Sequence, residues 1–237
     1  GLVVYNSYTG AIVNFEAGER EEVMTALKRQ GSTALDTEVK QALFESGFIV
    51  KDTVNEMQRA DLLHQSMHRT DMLHLILMTT EQCNFRCRYC YESFAKGRMT
   101  DETKAGVKAL VAERAGTLND LHISWFGGEP LLELGIIEEL SKEYMTIAAD
   151  NNINYSADVV TNGYFLNRET FEKLLSWNVS QYMVTIDGVQ AVHDARRHMI
   201  GGQGSFERIV DNLKTLRDVE GDFNMTIRIN FDEDNLR

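Results

Sequence analysis

Residues 81–92 read EQCNFRCRYCYE, and this short stretch holds all three cysteines of the chain, Cys83, Cys87 and Cys90. Their C-x3-C-x2-C spacing does not suit a structural zinc site, because such a site closes a tetrahedron with four protein ligands. The spacing suits a cubane iron–sulfur cluster, which is held by cysteine thiolates. With three thiolates, one iron of that cluster has no protein ligand and is open to a substrate or a cofactor.

The cysteine spacing, with an aromatic residue (Tyr89) just before the last cysteine, resembles the signature of the radical S-adenosylmethionine superfamily. The resemblance implies a [4Fe–4S] cluster on Cys83, Cys87 and Cys90, with S-adenosylmethionine on the open iron. It also implies that Tyr89 and Tyr91 pack around the cluster and the adenine, with Tyr89 at the aromatic position of the motif.

The composition is that of an ordinary globular protein, with 43% hydrophobic and 25% charged residues in a chain of 237. The net charge of −12 argues against a nucleic-acid partner, since phosphate binding needs a basic face. No apolar run approaches the roughly 20 residues that span a membrane, and the N-terminus has no signal-peptide pattern. Three clustered thiols without further partners indicate a reducing compartment. The sequence therefore predicts a cytoplasmic protein with no membrane partner.

From residue 71 onward, apolar runs alternate with helical segments, which is typical of βα units around a parallel sheet. Strands are predicted at 73–78, 121–126, 157–160, 182–186 and 225–231, and helices at 100–115, 136–149, 168–176 and 205–216. The cysteine loop follows the first strand, at the carboxyl edge where such folds carry their chemistry. The resemblance implies an α/β fold of the partial (β/α) TIM-like barrel type over residues 71–237. The family's barrel has six units, so we expect that C-terminal sequence is missing after the fifth strand.

Residues 1–70 are interpreted as a separate, small α+β domain. Two apolar runs within residues 2–15 flank a polar turn with Gly10, which predicts a β-hairpin. Helices are predicted at 16–30, 35–46 and 54–68, with Gly31 and Gly47 as C-terminal stops, and a short strand at 48–50. Strands followed by helices with tight turns between them are typical of a winged-helix-like domain.

A winged-helix-like domain often binds DNA, but the candidate helices here carry at least as many acidic as basic residues. In this position the domain resembles the peptide-recognition (RRE-like) domain of SPASM/twitch-type radical S-adenosylmethionine enzymes, which modify ribosomally made peptides. That resemblance implies that residues 1–70 bind the leader of a precursor peptide by strand addition at a sheet edge. The alternative is a structural cap without a ligand.

Residues 127–130 read GGEP and follow the second predicted strand. As an isolated tetrapeptide this is a turn, in which Gly127 and Gly128 permit positive φ or a close backbone approach and Pro130 stiffens the exit. Placed after the cysteine loop, the segment resembles the GGEP motif of the family. The resemblance implies that backbone oxygens and the Glu129 carboxylate hold the ammonium of S-adenosylmethionine, with all four residues in the cofactor site.

Polar residues also follow the third and fourth predicted strands. Residues 161–163 (TNG) form a turn by composition, and a similar TNG in the peptide-modifying branch implies that Asn162 lies near the cofactor. Asp187 precedes His193 and Arg197 in a pattern that resembles the family's cofactor contacts to ribose and carboxylate. A guanidinium pairs with a carboxylate in bidentate fashion, which gives Arg197 a physical role. The alternative is a turn followed by a solvated polar face.

Three further residues are less clearly placed by the sequence. Arg196 is as close as Arg197 to the expected position, so the sequence does not separate the two arginines. Asn230 on the fifth strand is a candidate for the cofactor pocket. His122 on the second strand is interpreted as a core or barrel-lining residue. We identify no catalytic acid or base from the sequence.

The resemblance implies that the cluster cleaves S-adenosylmethionine reductively to a 5′-deoxyadenosyl radical, which abstracts hydrogen from an unactivated carbon. The implied substrate is a ribosomally made precursor peptide, and the implied electron donor is a protein such as flavodoxin or ferredoxin. A thioether between a cysteine sulfur and a carbon is the first prediction for the product. Carbon–carbon cross-linking and epimerisation stay open.

Three other functions are alternatives to this one. An anaerobic sulfatase-maturing, formylglycine-forming enzyme is the nearest alternative, but such enzymes as a rule lack the N-terminal peptide-binding domain. A winged-helix redox regulator would use the cluster as a switch, yet it needs basic recognition residues and has no use for GGEP. An electron carrier needs a fourth cysteine ligand. The sequence does not identify the peptide, the modified residues or the bond that is formed.

Overall fold

The computed structural model describes residues 1–28 and 34–233 and divides the chain into two compact units, Gly1–Arg69 and Thr70–Arg237. Each unit has its own hydrophobic core. Among the described residues, none of the helices has both the length and the apolar content that a membrane crossing requires.

The first unit consists of a hairpin and three helices. Strands β1 (Leu2–Tyr5) and β2 (Ile12–Phe15) pair antiparallel, with Leu2 opposite Phe15 and Tyr5 opposite Ile12. The turn between them uses Gly10 at φ +75°, a conformation that glycine adopts without strain. Helices α1 (Arg20–Lys28), α2 (Glu38–Glu45) and α3 (Glu56–Met67) follow. The predicted hairpin is confirmed.

The core of this unit is small and made by the hairpin and the first two helices. Its buried members are Phe15, Val23, Ala26, Val39 and Leu43. No residue of α3 is buried, so this helix adds little to that core. The predicted end of the first helix at residue 30 and its stop at Gly31 lie outside the described residues.

The strand predicted at residues 48–50 is wrong. The backbone N–H groups of Phe48 and Ile49 both donate to Leu43 O, at 2.8 and 3.3 Å, and Gly47 between them and the helix has φ +74°. These bonds close the carboxyl end of α2, which is a common way for a helix to end on glycine. The donors that a strand would use for pairing are therefore already engaged, and the two apolar side chains pack on the small core.

The second unit is built on one parallel sheet. Its strands are β3 (Met72–Met78), β4 (Asp120–Phe126), β5 (Asn154–Thr161), β6 (Val179–Thr185) and β7 (Asn224–Arg228). Its helices are α4 (Asp101–Arg114), α5 (Leu134–Asn151), α6 (Arg168–Ser176), α7 (Gln190–Arg196) and α8 (Phe206–Thr215). The five strands pair in chain order, all parallel. This confirms the predicted α/β class and the partial barrel.

The two faces of this sheet differ sharply. Leu121, Ile123 and Trp125 of β4 are fully buried and share one core with Val111 of α4 and Leu140 of α5. Because side chains alternate across a strand, the neighbouring residues of β4 project from the opposite face. That opposite face carries polar residues on three adjacent strands, which are described below.

Helix α7 and the limits of several strands differ from the predictions. No helix is predicted between β6 and α8, where the alternative to cofactor contacts is a turn and a solvated polar face, whereas residues Gln190–Arg196 are helical. This helix is only seven residues long and buries His193 and Arg196, so it shows no apolar periodicity that could predict it. β5 and β6 begin three residues earlier than predicted, and β7 ends at Arg228 rather than at residue 231.

Candidate active site at the cysteine loop

The cysteine loop leaves the carboxyl end of β3 and runs along the edge of the sheet. Cys83 and Cys87 are half-buried, Cys90 is exposed, and all three are free thiols. Parallel sheets bind ligands at this edge, because the loops that follow all the strands meet there. The loop is held from two sides by protein backbone, and each side involves a segment that the sequence singled out.

The first side is the glycine pair after β4. Gly128 N donates to Thr80 O at 3.0 Å, and Glu129 N donates to Gln82 O at 2.9 Å. A Cβ on Gly127 would lie 2.3 Å from Thr80 O, and Gly127 also has φ +139°. A Cβ on Gly128 would lie 2.3 Å from the Glu81 carbonyl oxygen. The close approach that these glycines permit is thus made to the cysteine loop itself.

The second side is the segment that follows α7. Arg86 N donates to His198 O and Arg88 N donates to Arg196 O, both at 2.9 Å. Ile200 N donates back to the backbone oxygen of Asn84 at 3.0 Å. The loop is therefore fixed by hydrogen bonds from two directions, which orients its thiols before any metal binds.

Glu129 is fully buried and connects the ends of two strands. Its Oε1 accepts from Leu131 N at 3.0 Å and from the Thr161 hydroxyl at 2.7 Å, and its Oε2 accepts from Asn162 N at 2.7 Å. Burial raises the pKa of this carboxyl, although the three donors oppose the shift. Pro130, also buried, begins a short 3-10 turn directly after it. The contact of Glu129 with a cofactor ammonium stays a prediction.

Asn162 extends the same network to the cysteines. Its Nδ2 donates to Asn84 Oδ1 at 2.8 Å and lies 3.8 Å from Cys83 Sγ, which also accepts from Phe85 N at 3.3 Å. Burial raises the pKa of the Cys83 thiol to about 11 and also raises that of Cys87. A bound cation removes such protons, because metals bind the thiolate form.

These observations fit a cluster-binding loop. N–H donors that point at a sulfur are the interactions that tune iron–sulfur clusters. Asn84 Nδ2 is buried beside Cys83 with no hydrogen-bond partner among the described residues, which is a polar group available to a ligand. Sequence reasoning missed Asn84, although its position inside the cysteine motif was a signal.

A second polar group surrounds Tyr89. The Tyr89 hydroxyl donates to Asp187 Oδ2 at 2.5 Å and accepts from Arg197 Nη1 at 2.6 Å and from Asn230 Nδ2 at 3.0 Å. Asn230 N also donates to Asp187 Oδ1 at 3.0 Å. Four residues predicted from three separate segments are thus brought together beside the cysteine loop.

The two arginines that the sequence could not separate have different surroundings. Arg197 is 7% exposed and close enough to lower the pKa of the Cys87 thiol against the effect of burial. Arg196 instead bonds Asp232 through Nη1 at 3.0 and 2.9 Å. Arg196 also borders the Tyr89 group, with its Nε 3.8 Å from Asp187 Oδ2 and its guanidinium 5.5 Å from the centre of the Tyr89 ring. Of the two, Arg197 is the one that donates to the Tyr89 hydroxyl, so the geometry favours Arg197 as the cofactor contact and gives Arg196 a role in joining α7 to the segment after β7.

His193 supports Arg197 from behind. Its Nδ1 accepts from Asp187 N at 3.2 Å, and its Nε2 lies 3.1 Å from the Ser205 hydroxyl, which donates to Arg197 O at 2.8 Å. Burial lowers the pKa of His193 to about 4, so the ring is neutral at physiological pH. The neutral ring accepts through Nδ1 and donates through Nε2 to Ser205 Oγ, so its role is structural.

At this edge of the sheet, clustered thiols lie next to a fixed arrangement of buried polar groups. This arrangement is typical of an α/β enzyme core that binds a metal cluster and a polar cofactor. The chain belongs to the Radical SAM superfamily, whose model matches residues 77–236. Enzymes of this superfamily use a [4Fe–4S] cluster and S-adenosylmethionine, and the residues described above fit that pair.

Comparison with known proteins places the chain among several enzymes. It is 25% identical to the radical SAM cyclopropyl synthase TigE of Paramaledivibacter caminithermalis over 76% of this chain and 41% of that protein. It is 27% identical to a cysteine-type anaerobic sulfatase-maturating enzyme of Clostridium novyi over 66% of this chain and 43% of that protein. The chain spans less than half the length of the curated relatives it matches.

A solved structure shares the fold. The structure of native anSMEcpe with bound AdoMet and Kp18Cys peptide superposes with a TM-score of 0.56. The two chains are 24% identical, and the match covers 65% of this chain and 42% of the chain in that structure. This likeness supports the fold of the second unit.

Proposed function

We propose that this chain is part of a radical S-adenosylmethionine enzyme that modifies a ribosomally made peptide, with thioether cross-linking as the first candidate reaction. One observation carries the proposal: the cysteine loop at the sheet edge packs against the glycine pair Gly127 and Gly128 and lies beside the hydrogen-bonded group around Tyr89. When bound, the reduced cluster and its cofactor supply a 5′-deoxyadenosyl radical that removes a hydrogen atom from a carbon of the substrate.

In this proposal the residues of the edge divide the work of binding. Cys83, Cys87 and Cys90 hold the cluster, and the backbone at residues 127–130 and Asn162 line the amino-acid end of the cofactor. Tyr89, Asp187 and Arg197 orient its polar groups. Because the guanidinium and the carboxylate are already held in place, they lose little conformational entropy on binding. An electron donor such as flavodoxin or ferredoxin would reduce the cluster.

The first unit supplies the argument for a peptide substrate. β1 and β2 form a sheet of only two strands among the described residues, so each strand has one edge free for a further strand. Val3, Tyr5 and Ile12 of this hairpin are 65%, 63% and 69% exposed. A groove beside β1 is lined by residues of the hairpin turn, by Phe48 and by Met57 of α3. An open edge beside exposed apolar side chains suits an extended peptide.

The relatives bear on the substrate only through their names. One is a sulfatase-maturating enzyme, another is the sporulation killing factor maturation protein SkfB of Bacillus subtilis, and the solved structure holds a peptide. All three involve polypeptides. The cyclopropyl synthase among the relatives keeps carbon–carbon bond formation open as an alternative to a thioether.

The test compares cofactor cleavage with peptide modification. Anaerobically reconstituted protein is reduced with dithionite and incubated with S-adenosylmethionine and the precursor peptide encoded nearest its gene. We expect 5′-deoxyadenosine and a peptide lighter by two hydrogens, one from a cysteine thiol and one from the carbon that the sulfur joins. Both products should be absent in the Cys83→Ala variant. Cleavage without any change of the peptide would refute the peptide assignment, and no cleavage would refute the enzyme assignment.

Sulfatase maturation is the second candidate, and the relative from Clostridium novyi favours it. A sulfatase-derived peptide with a single cysteine serves as the competing substrate in the same assay. Formylglycine in that peptide, with no dependence on a leader sequence, would replace the first proposal by the second.

A further inference from the structure

Two histidines and an aspartate lie together on the sheet face opposite to the main core. His74 of β3 is directly opposite His122 of β4, and Ser124 of β4 is directly opposite Asp158 of β5. Leu121 and Ile123 beside them on β4 point the other way, into the core. The cluster thus belongs to three adjacent strands and is separate from the cysteine loop at the edge.

The cluster has the dimensions of a metal site. His74, His122 and Asp158 each offer one nitrogen or oxygen atom, and these three atoms lie within 4.8 Å of one another. A tetrahedral ion with bonds of about 2.1 Å needs ligand atoms about 3.4 Å apart, which small side-chain rotations can supply. His74 is exposed and the other two are half-buried, so an ion has access from solvent.

Serines on the same face set the orientation of the ligands. The Ser156 hydroxyl lies 2.8 Å from His122 Nδ1, which leaves His122 Nε2 facing Asp158 Oδ1 at 2.7 Å. The Ser124 hydroxyl donates to Asp158 Oδ1 at 2.5 Å and lies 2.8 Å from His74 Nε2. Partners of this kind fix the ring orientation of metal-binding histidines in proteins.

We propose that His74, His122 and Asp158 bind a divalent first-row transition ion, with Zn²⁺ as the reference ion. Two imidazoles and one carboxylate are a donor set that such ions prefer. Three protein ligands leave at least one position for water or for an oxygen of the substrate. The competing account is a polar network in which the His122–Asp158 pair is complete without an ion. The proposal does not depend on the identity of the substrate.

Zinc content of the cluster-loaded protein tests the site first. The reconstituted protein is dialysed anaerobically against buffered Zn²⁺, and iron and zinc are measured together by elemental analysis. We expect one equivalent of zinc beyond a full complement of iron, with only nitrogen and oxygen neighbours in the zinc X-ray absorption spectrum. Sulfur neighbours would place the zinc in the cysteine loop and overturn the proposal, as would the absence of retained zinc.

Variants then locate the ion. His122→Ala and Asp158→Asn should each weaken Zn²⁺ binding at least a hundredfold, and Ser156→Ala should weaken it about tenfold through the loss of orientation. His64→Ala is the matched control, because the His64 ring of α3 contacts the ring of His68, the residue directly after α3, and this pair offers zinc an adventitious site. Unchanged iron content shows that a variant has folded. Loss of zinc in the control, or equal zinc in all the variants, would contradict the assignment.

Discussion

The cysteine-loop edge and the N-terminal unit bury their groups in opposite ways. The edge buries polar and charged side chains, including Glu129, Asp187 and Arg197, and each has hydrogen-bond partners from other segments. The N-terminal unit has a small apolar core and leaves Val3 and Tyr5 exposed. The edge holds its polar groups in a fixed arrangement, whereas the N-terminal unit exposes apolar side chains that a partner can contact.

This difference predicts where substitutions act. At the edge, a change should disturb either packing or cofactor binding, because Glu129, Asp187 and Arg197 are each hydrogen-bonded to other segments. On the hairpin, a change of an exposed side chain should alter binding and leave stability nearly unchanged. The following predictions test that contrast, beginning with the largest expected effect.

Gly128→Ala should destabilise the second unit by about 3 kcal/mol, since its Cβ would lie 2.3 and 2.6 Å from two backbone oxygens of the cysteine loop. Gly135→Ala is the control, because Gly135 lies in α5 with nothing within 4 Å of the added carbon. Urea unfolding monitored by tryptophan fluorescence reports on this unit, which holds both tryptophans, Trp125 and Trp177. Equal stability of the two variants would show that the loop is not packed against Gly128.

Titration of His193 should give the next largest effect, a dependence of the free energy of unfolding on pH. Burial lowers its pKa from 6.5 to about 4, so the unfolded chain binds a proton that the folded chain does not. Stability should therefore fall as the pH decreases through that interval, by roughly 3 kcal/mol in total. His193→Gln should remove this slope, and His68→Gln, directly after α3, should keep it. Unfolding of metal-free protein at several pH values measures both, and an unchanged slope in His193→Gln would exclude the residue as its source.

Arg197→Lys should raise the KM for S-adenosylmethionine about tenfold, because lysine lacks the planar guanidinium that donates to the Tyr89 hydroxyl beside the proposed cofactor site. Arg196→Lys should change it less, since Arg196 bonds Asp232. The rate of 5′-deoxyadenosine formation against cofactor concentration provides the comparison. A larger effect from Arg196 would reverse the assignment of the two residues.

Tyr5→Ser should weaken binding of a leader peptide roughly fivefold with a stability change within about 0.5 kcal/mol. The side chain is 63% exposed and lines the groove of the hairpin. Leu62→Ser on α3, 57% exposed and outside that groove, is the matched control. Fluorescence anisotropy of a labelled leader distinguishes them, and equal affinities would argue for a structural cap.

Local patterns carried most of what the sequence could predict. The three cysteines are clustered in sequence, and the alternation of apolar runs with helical segments indicated a parallel sheet, which the structure confirms. The apolar run of β3 is typical of a buried strand, but β3 lies at the end of the sheet and only Leu77 of its residues is buried. Phe48 and Ile49 looked like a strand because their side chains are apolar. Their backbone donors instead close α2, which depends on Gly47 and on hydrogen bonds that composition does not reveal.

The remaining features depend on segments that are distant in the chain. Thr161 and Asn162 bond Glu129 across more than 30 residues, and the Tyr89 group combines positions up to 141 residues apart. His74, His122 and Asp158 come together only through the register of three strands. The cofactor roles of Asn162, Asp187 and Arg197 stay predictions, although the structure places all three beside the cysteine loop.

The most direct test of the central claim is an electron paramagnetic resonance spectrum of the anaerobically reconstituted, reduced protein with and without S-adenosylmethionine. The account predicts a [4Fe–4S]⁺ signal that changes when the cofactor is added, because one iron has no cysteine ligand. A cluster signal indifferent to the cofactor would indicate a structural or sensing cluster. Protein that retains zinc on its cysteines and forms no cluster would contradict the account.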